Sequence, residues 1–285
     1  MVTASVGFHC PDCVREANRD AGQVRTAVGG KQHARQGVVT IVLIVICVVM
    51  FGLQKLIGPS FTARMDLEAM SPALAALPSS SHIGVAYGVS QWYRLVTGMF
   101  VHESIWHLGM NMLSLWWIGV PVESRLGRLR YLLTYFTCGL VASAVSFGFM
   151  SWNDASLGAS GAIFGLLGVL AVLALREKLN MQPIITVILI NLIFSFSVPG
   201  IDWHAHLGGL GAGLVLGAAL AFAPRRANAA RLRWYSNPQN LYPTVAGVAL
   251  LAVSVVIVIM HSDYLQAGTV AGAIHSVIVS YPQNT

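Results

Sequence analysis

The chain has 285 residues, of which 55% are hydrophobic and only 10% charged, and its mean hydropathy is +0.67. Ordinary soluble domains are far more polar, so a soluble fold is excluded. The pI near 9.4 is compatible with nucleic acid by number alone, but the cations cluster at the ends of apolar runs, the signature of membrane topology.

Residues 1–37 form a polar head containing Cys10-Pro11-Asp12-Cys13. The first apolar run, 38–57, is long enough for a hydrocarbon core of about 30 Å and too long for a signal-peptide h-region, so it is expected to remain as an uncleaved anchor. Residues 58–94 make a long connection rich in Ser, Pro and Ala, and its Trp92 and Tyr93 suit a membrane interface. Loops of that length are usually functional or partly structured. Further spans are expected at 104–122, 131–150, 158–175, 183–199, 204–222 and 243–261, with 224–242 linking the last two. The tail after Ser262 is small and is expected to be mobile. The fold class is therefore an all-α membrane bundle of seven transmembrane helices. Its organisation is a head at 1–37, a six-helix core at 38–222, and a linker, seventh helix and tail at 223–285.

Alternation across seven spans puts 14 of the 17 Lys and Arg on one side. These are the head cations, then Arg125, Arg128 and Arg130, then Arg176 and Lys178, then Arg225, Arg226, Arg231 and Arg233. Such a bias orients the N-terminus to the cytoplasm and the C-terminus to the exterior of the plasma membrane. The basic balance records topology and contact with the lipid bilayer; no nucleic-acid partner is expected.

Polar side chains inside apolar spans are costly and mark functional sites by default. Ser160 stands in Gly158-Ala159-Ser160-Gly161, and His206 in Ala205-His206-Leu207-Gly208-Gly209. Serine and glycine in a membrane helix usually serve packing, but a matched histidine turns Ser160 into a candidate nucleophile with His206 as its base. Their hydrogen bond requires heavy atoms about 3 Å apart, closer than Leu-lined helices allow. Gly209, Gly213 and Gly217 lie on one face with His206, and Gly161 and Gly165 thin the facing helix. Phe164, one turn after Ser160, is placed to pack against the imidazole. His107 and Asn111 are four residues apart on one helix face, and both offer donors to a developing oxyanion. All these groups fall in the external half of the membrane.

Other polar residues carry blander readings. His204 lies about 200° around the helix from His206 and is expected to be an exposed loop residue. Asp202 belongs in the external loop rather than at the imidazole. Glu103 is expected to be solvated, and Cys47 and Cys138 to behave as small hydrophobes. A membrane zinc protease needs H-E-x-x-H; here His102-Glu103 is followed by His107, one residue too far, leaving the histidines about 140° apart. A G-x-S-x-G elbow would require glycine where Ala162 stands. A transporter would show paired broken helices at the midplane, and the sequence has none.

Taken in order, Trp92-Tyr93-Arg94, His102, His107, Asn111, Val122-Glu123-Ser124-Arg125-Leu126-Gly127, Gly158-Ala159-Ser160-Gly161 and Ala205-His206-Leu207-Gly208-Gly209 resemble the rhomboid family of intramembrane serine proteases. The resemblance covers residues 92–222. It implies a rhomboid-like six-helix core plus one C-terminal helix, with Ser160 as nucleophile and His206 as general base in a dyad lacking the usual third carboxylate. It implies an oxyanion site made by the Ser160 backbone N–H with the side chains of His107 and Asn111, supported by His102, Phe164, Gly158, Gly161, Gly209 and Gly213. Arg94, Glu123 and Arg125 would be structural. No cofactor is implied. The implied partners are transmembrane protein substrates that unwind near their external ends, and neither the natural substrate nor the oligomeric state is readable. The fifth span, with Asn191, Phe194, Ser195 and Phe196, would be a gate, and the loop 199–203 a cap. The alternative is a catalytically inactive rhomboid-like protein that binds membrane helices, although such relatives typically lack the serine or the histidine.

Cys10 and Cys13 supply half of a four-ligand zinc site, and His9 and His33 stand at no zinc-module spacing. The segment resembles the end of the cysteine-rich zinc head of some actinobacterial rhomboids, without its earlier cysteines. The expectation is either a start inside a longer reading frame or a lineage that has lost the site. No metal site is otherwise expected.

Overall fold

The computed structural model describes residues 35–69, 91–151, 154–224 and 237–280, together with 2–3, 8–12, 26 and 28–30 of the head; its account of the seventh long helix includes side chains as far as Leu265. Among the described residues the chain is helical apart from two two-stranded ribbons, one of them in the head. Helix α1 (Val38–Ile57) is followed by the short α2 (Pro59–Met65). A single turn, α3 (Arg94–Thr97), precedes α4 (Ile105–Leu126) and α5 (Arg128–Phe149). Then come α6 (Ser160–Arg176), α7 (Gln182–Ser197), α8 (Trp203–Phe222) and α9 (Pro238–Ser280).

All seven expected spans have become helices. Four of them, α1, α5, α8 and the first 28 residues of α9, are long and apolar enough to cross a membrane by themselves. Helices α6 and α7 are apolar but shorter. The clearest departure is α9, which runs on to Ser280, well past the expected end at 261. No proline stands between Ser262 and Ser280, and the extension tolerates Gly268 and Gly272 among its Ala, Val and Ile, so the helix is not broken at the expected end.

Helix α6 occupies the centre. Twelve of its seventeen residues are buried, several of them Gly or Ala, whereas α7 buries only Ser195. The difference follows from side-chain size, since a helix lined with small residues can be approached from all sides. Helix α8 packs along α6 at glycine contacts. A Cβ at Gly209 would fall on the Gly161 carbonyl oxygen, and one at Gly213 on that of Gly165. A Cβ at Gly168 would lie 2.7 Å from the Leu210 oxygen. Helices α1, α4 and α5 complete the main core around Leu43, Cys47, Leu115, Leu126, Tyr131 and Tyr135, and α9 packs on α5 and α8.

The two ends of the bundle are fastened differently. At the end carrying Arg176, the Glu123 carboxylate accepts from the backbone N–H groups of Val39 (3.1 Å) and Thr40 (2.9 Å) and from the Thr40 hydroxyl (2.9 Å). It thereby satisfies the orphan donors at the start of α1. Arg125 reaches Glu177 after α6 at 3.1 Å, and Gly127, at φ 77°, makes the break between α4 and α5. At the Ser160 end, the described part of the connection after α1, residues 58–69, forms a strap. Arg94 is 1% exposed and donates to the carbonyls of Ala63 and Asp66 (both 2.8 Å), to the Asp66 carboxylate (3.2 Å) and to Gln91 (3.0 Å). Burial pushes the Asp66 carboxyl above its ordinary value, and the charge of Arg94 only partly offsets this. The strap then pairs with the segment entering α6, Leu67 opposite Ser156 and Glu68 opposite Ala155.

Candidate functional site

The strap and the entry to α6 fix the approach to Ser160. Gly158 donates its N–H to the Gly98 carbonyl (2.9 Å) and sits at φ +123°, a conformation that side-chained residues rarely adopt. A Cβ on Gly158 would lie 2.8 Å from His107 Nε2 and 4.0 Å from Ser160 Oγ. The glycine therefore opens the space between the His107 ring and the serine hydroxyl.

Ser160 begins α6, and His206 stands in the first turn of α8. Gly161 and Gly209 remove the side chains that would hold these helices apart, and His206 Nε2 comes to 2.8 Å from Ser160 Oγ. Phe164 stacks on the imidazole, with centroids 4.2 Å apart and planes 13° from parallel. His206 is 7% exposed, so the stacked pair is shielded from solvent. The fold thus brings Ser160, Phe164 and His206 together.

The other nitrogen of His206 also has a partner. Nδ1 lies 2.6 Å from Oγ of Ser195 on α7. No carboxylate occupies that position. Asp202 instead caps α8, accepting from the Ala205 N–H at 3.0 Å and from the Ser146 hydroxyl on α5. His204 departs from the expected exposed loop residue. It lies inside the first turn of α8, with its ring stacked on Phe149 at 4.6 Å and against Trp203 at 3.6 Å.

His107 faces the serine as described, with its N–H held by the Ser104 N-cap at 3.1 Å. Asn111 is buried one turn on, and its Nδ2 donates to the His107 carbonyl at 2.9 Å. Nδ2 carries two protons, so one donor is left for an oxyanion. The fully buried His102 packs edge-on against His107, with centroids 5.2 Å apart. Its backbone is clamped by Gln54 of α1, which accepts from the His102 N–H (3.0 Å) and donates to its carbonyl (3.1 Å). Gln54 and the histidine contact of Ser195 escape the sequence reading. Both are polar residues inside apolar helices, which is the signal that could have found them.

The packed neighbours of α7 are α6 and α8, while Phe194 and Phe196 are exposed. Glu103 is exposed, and Cys47 and Cys138 are fully buried. Cys10 is exposed, whereas Cys13 lies outside the described residues. Among the described residues no group of three His, Cys, Asp or Glu side chains could hold a metal ion.

The chain is similar to known proteins. Residues 89–223 match the family model described as Rhomboid domain. The chain is 37% identical over 198 residues to Rhomboid protease GluP of Bacillus subtilis, covering 68% of this chain and 37% of that protein. It is 32% identical to Rhomboid-type serine protease 2 of Emericella nidulans, covering 47% of this chain and 28% of that one. With RHOMBOID-like protein 2 of Arabidopsis thaliana it shares 30% identity over 73% of each chain. The chain thus spans less than half the length of the first two relatives and most of the third.

Proposed function

The chain belongs to the rhomboid family and is a multi-pass membrane protein, and on that premise we propose that it is an intramembrane serine endopeptidase acting through Ser160 and His206. The observation that carries this reading is the 2.8 Å approach of Ser160 Oγ to His206 Nε2 at the meeting of two apolar helices. A histidine costs free energy in such surroundings and is retained where its chemistry is needed.

In the proposed reaction, Ser160 Oγ attacks the carbonyl carbon of a substrate peptide bond as its proton passes to His206 Nε2. The oxyanion is received by the Ser160 N–H, at the start of α6, with the Asn111 amide and His107. His206 then returns the proton to the leaving amine, and water repeats the sequence on the acyl-enzyme. The phenyl ring of Phe164 holds the imidazole in plane throughout. Peptide bonds inside a helix are shielded by their own hydrogen bonds, so the substrate is a transmembrane segment that unwinds near the external face, most easily at Gly or Pro. The N-terminus is cytoplasmic, and Ser160 faces the exterior.

The test is incubation of the purified protein in bilayers with a panel of single-span membrane proteins, with Ser160→Ala as control. Cleavage is expected within or beside the span, blocked by a fluorophosphonate and insensitive to chelators. Intact substrates that co-purify with the protein would instead favour a helix-binding protein without catalysis.

A further inference from the structure

We propose that Ser195 is the third member of this site, a positioning residue that fixes the tautomer of His206; the proposal rests on the Ser160–His206 reading above. A neutral imidazole carries one proton, and the nitrogen that holds it is set by the hydrogen bond the other atoms make. General-base action on Ser160 requires a bare Nε2, hence a proton on Nδ1. A dyad without a partner at Nδ1 leaves that choice open, and the opposite tautomer would donate to Ser160 Oγ instead of accepting from it.

Ser195 settles the choice by proton counting. Its Oγ lies 2.7 Å from the Asn191 carbonyl, one turn back on α7, and 2.6 Å from His206 Nδ1. The carbonyl only accepts, so both contacts are hydrogen bonds only if the single hydroxyl proton goes to the carbonyl and the imidazole proton sits on Nδ1. The oxygen lone pair is left facing Nδ1, where it accepts the imidazole N–H. As Ser160 gives up its proton, the resulting imidazolium keeps that Nδ1–H bond, so no rearrangement accompanies the transfer. Serine hydroxyls often bond back to the i−4 carbonyl for local reasons alone. Here the same oxygen also meets the histidine, and Ser195 is the only buried residue of α7, 3% exposed amid exposed neighbours. The neutral hydroxyl takes the position that a carboxylate fills in serine triads, and it does so without burying a second charge.

Purified full-length protein with Ser195→Ala or Ser195→Thr, beside wild type, tests this through the rate of Ser160 labelling by a small fluorophosphonate. That reagent needs nucleophile activation but no unwinding of a substrate helix. Ser195→Ala is expected to lower the labelling rate about 10-fold, the effect of one hydrogen bond, with Ser195→Thr within about 3-fold of wild type. Labelling of Ser195→Ala at the wild-type rate, even with impaired cleavage of membrane substrates, overturns the proposal and leaves Ser195 as a packing residue of α7. Should Ser195→Ala fail to fold, 15N NMR of histidine-labelled wild type decides. A proton on Nδ1 of His206, assigned by loss of the signal in His206→Ala, is expected, and a proton on Nε2 overturns the proposal. Wild-type protein that is not labelled at Ser160 at all refutes the underlying protease reading instead.

Discussion

At the scale of single residues, the proposed mechanism makes Ser160 and His206 one unit, so their losses should not add. Ser160→Ala and His206→Ala are each expected to abolish cleavage while leaving insertion and folding intact, and the double variant should be no worse than either. Cleavage by Ser160→Ala of verified purity overturns the mechanism. Residues around the pair should have graded effects. Asn111→Ala removes one oxyanion donor, at a cost of about 10²–10³ in turnover, yet Ser160 should still react with a fluorophosphonate. Full turnover by Asn111→Ala removes it from the oxyanion site. Phe164→Ala forfeits a ring contact of about 0.5–1.5 kcal/mol, equivalent to roughly 2- to 13-fold in rate if the stack persists in the transition state. Phe164→Tyr keeps the ring and should keep the rate.

At the scale of elements, the Ser160–His206 contact depends on how closely α6 and α8 approach, and α8 contains an internal control. A methyl group at Gly209 meets the Gly161 carbonyl oxygen, whereas one at Gly211 meets nothing within 4 Å. Gly209→Ala must push α8 away, with an overpacking cost of about 1–3 kcal/mol, and the shift opens the Ser160–His206 hydrogen bond. Gly211→Ala should leave both thermal unfolding and labelling unchanged. Equal behaviour of the two variants would show that the glycine contacts do not set the site.

These same elements show what a sequence discloses. The four-residue recurrence of Gly209, Gly213 and Gly217 is legible because helix geometry converts spacing into a face, and Ser160 and His206 were findable because polar groups in apolar runs need a reason. The pairing of Leu67 with Ser156 was not legible. Two residues per strand carry no alternation, and the partners lie far apart in sequence. Ser195 reads as one more small residue of α7 until the fold supplies the imidazole. His204 shows the reverse: its position suggests exposure, but Phe149 and Trp203, one of them on another helix, stack on its ring.

At the scale of the whole molecule, α6 separates two unlike ends, Ser160 at its start and Arg176 at its finish. Arg125 meets Glu177 at the second end, and Arg130 bonds to Asn240 of α9 at 2.6 Å. Helix α9 then runs along α5 until His261 donates to the Met150 carbonyl at 2.8 Å. The 21 residues from Asn240 to His261 rise about 32 Å, close to the hydrocarbon thickness of about 30 Å. In the proposed topology, residues after His261 leave the membrane on the Ser160 side. In the topology we propose from the cation bias, the Arg130 end is cytoplasmic, and Ser160, the strap and the end of α9 lie outside. Exposed positions at the two ends separate this topology from its inverse. In a background with Cys10 and Cys13 replaced by serine, Asp263→Cys should react with a membrane-impermeant maleimide in intact cells, and Lys178→Cys only after lysis, since both side chains are exposed. The buried Cys47 and Cys138 should contribute no background. Labelling of Lys178→Cys but not Asp263→Cys in intact cells would invert the molecule, turn Ser160 towards the cytoplasm, and move its substrates' cleavage sites to that face.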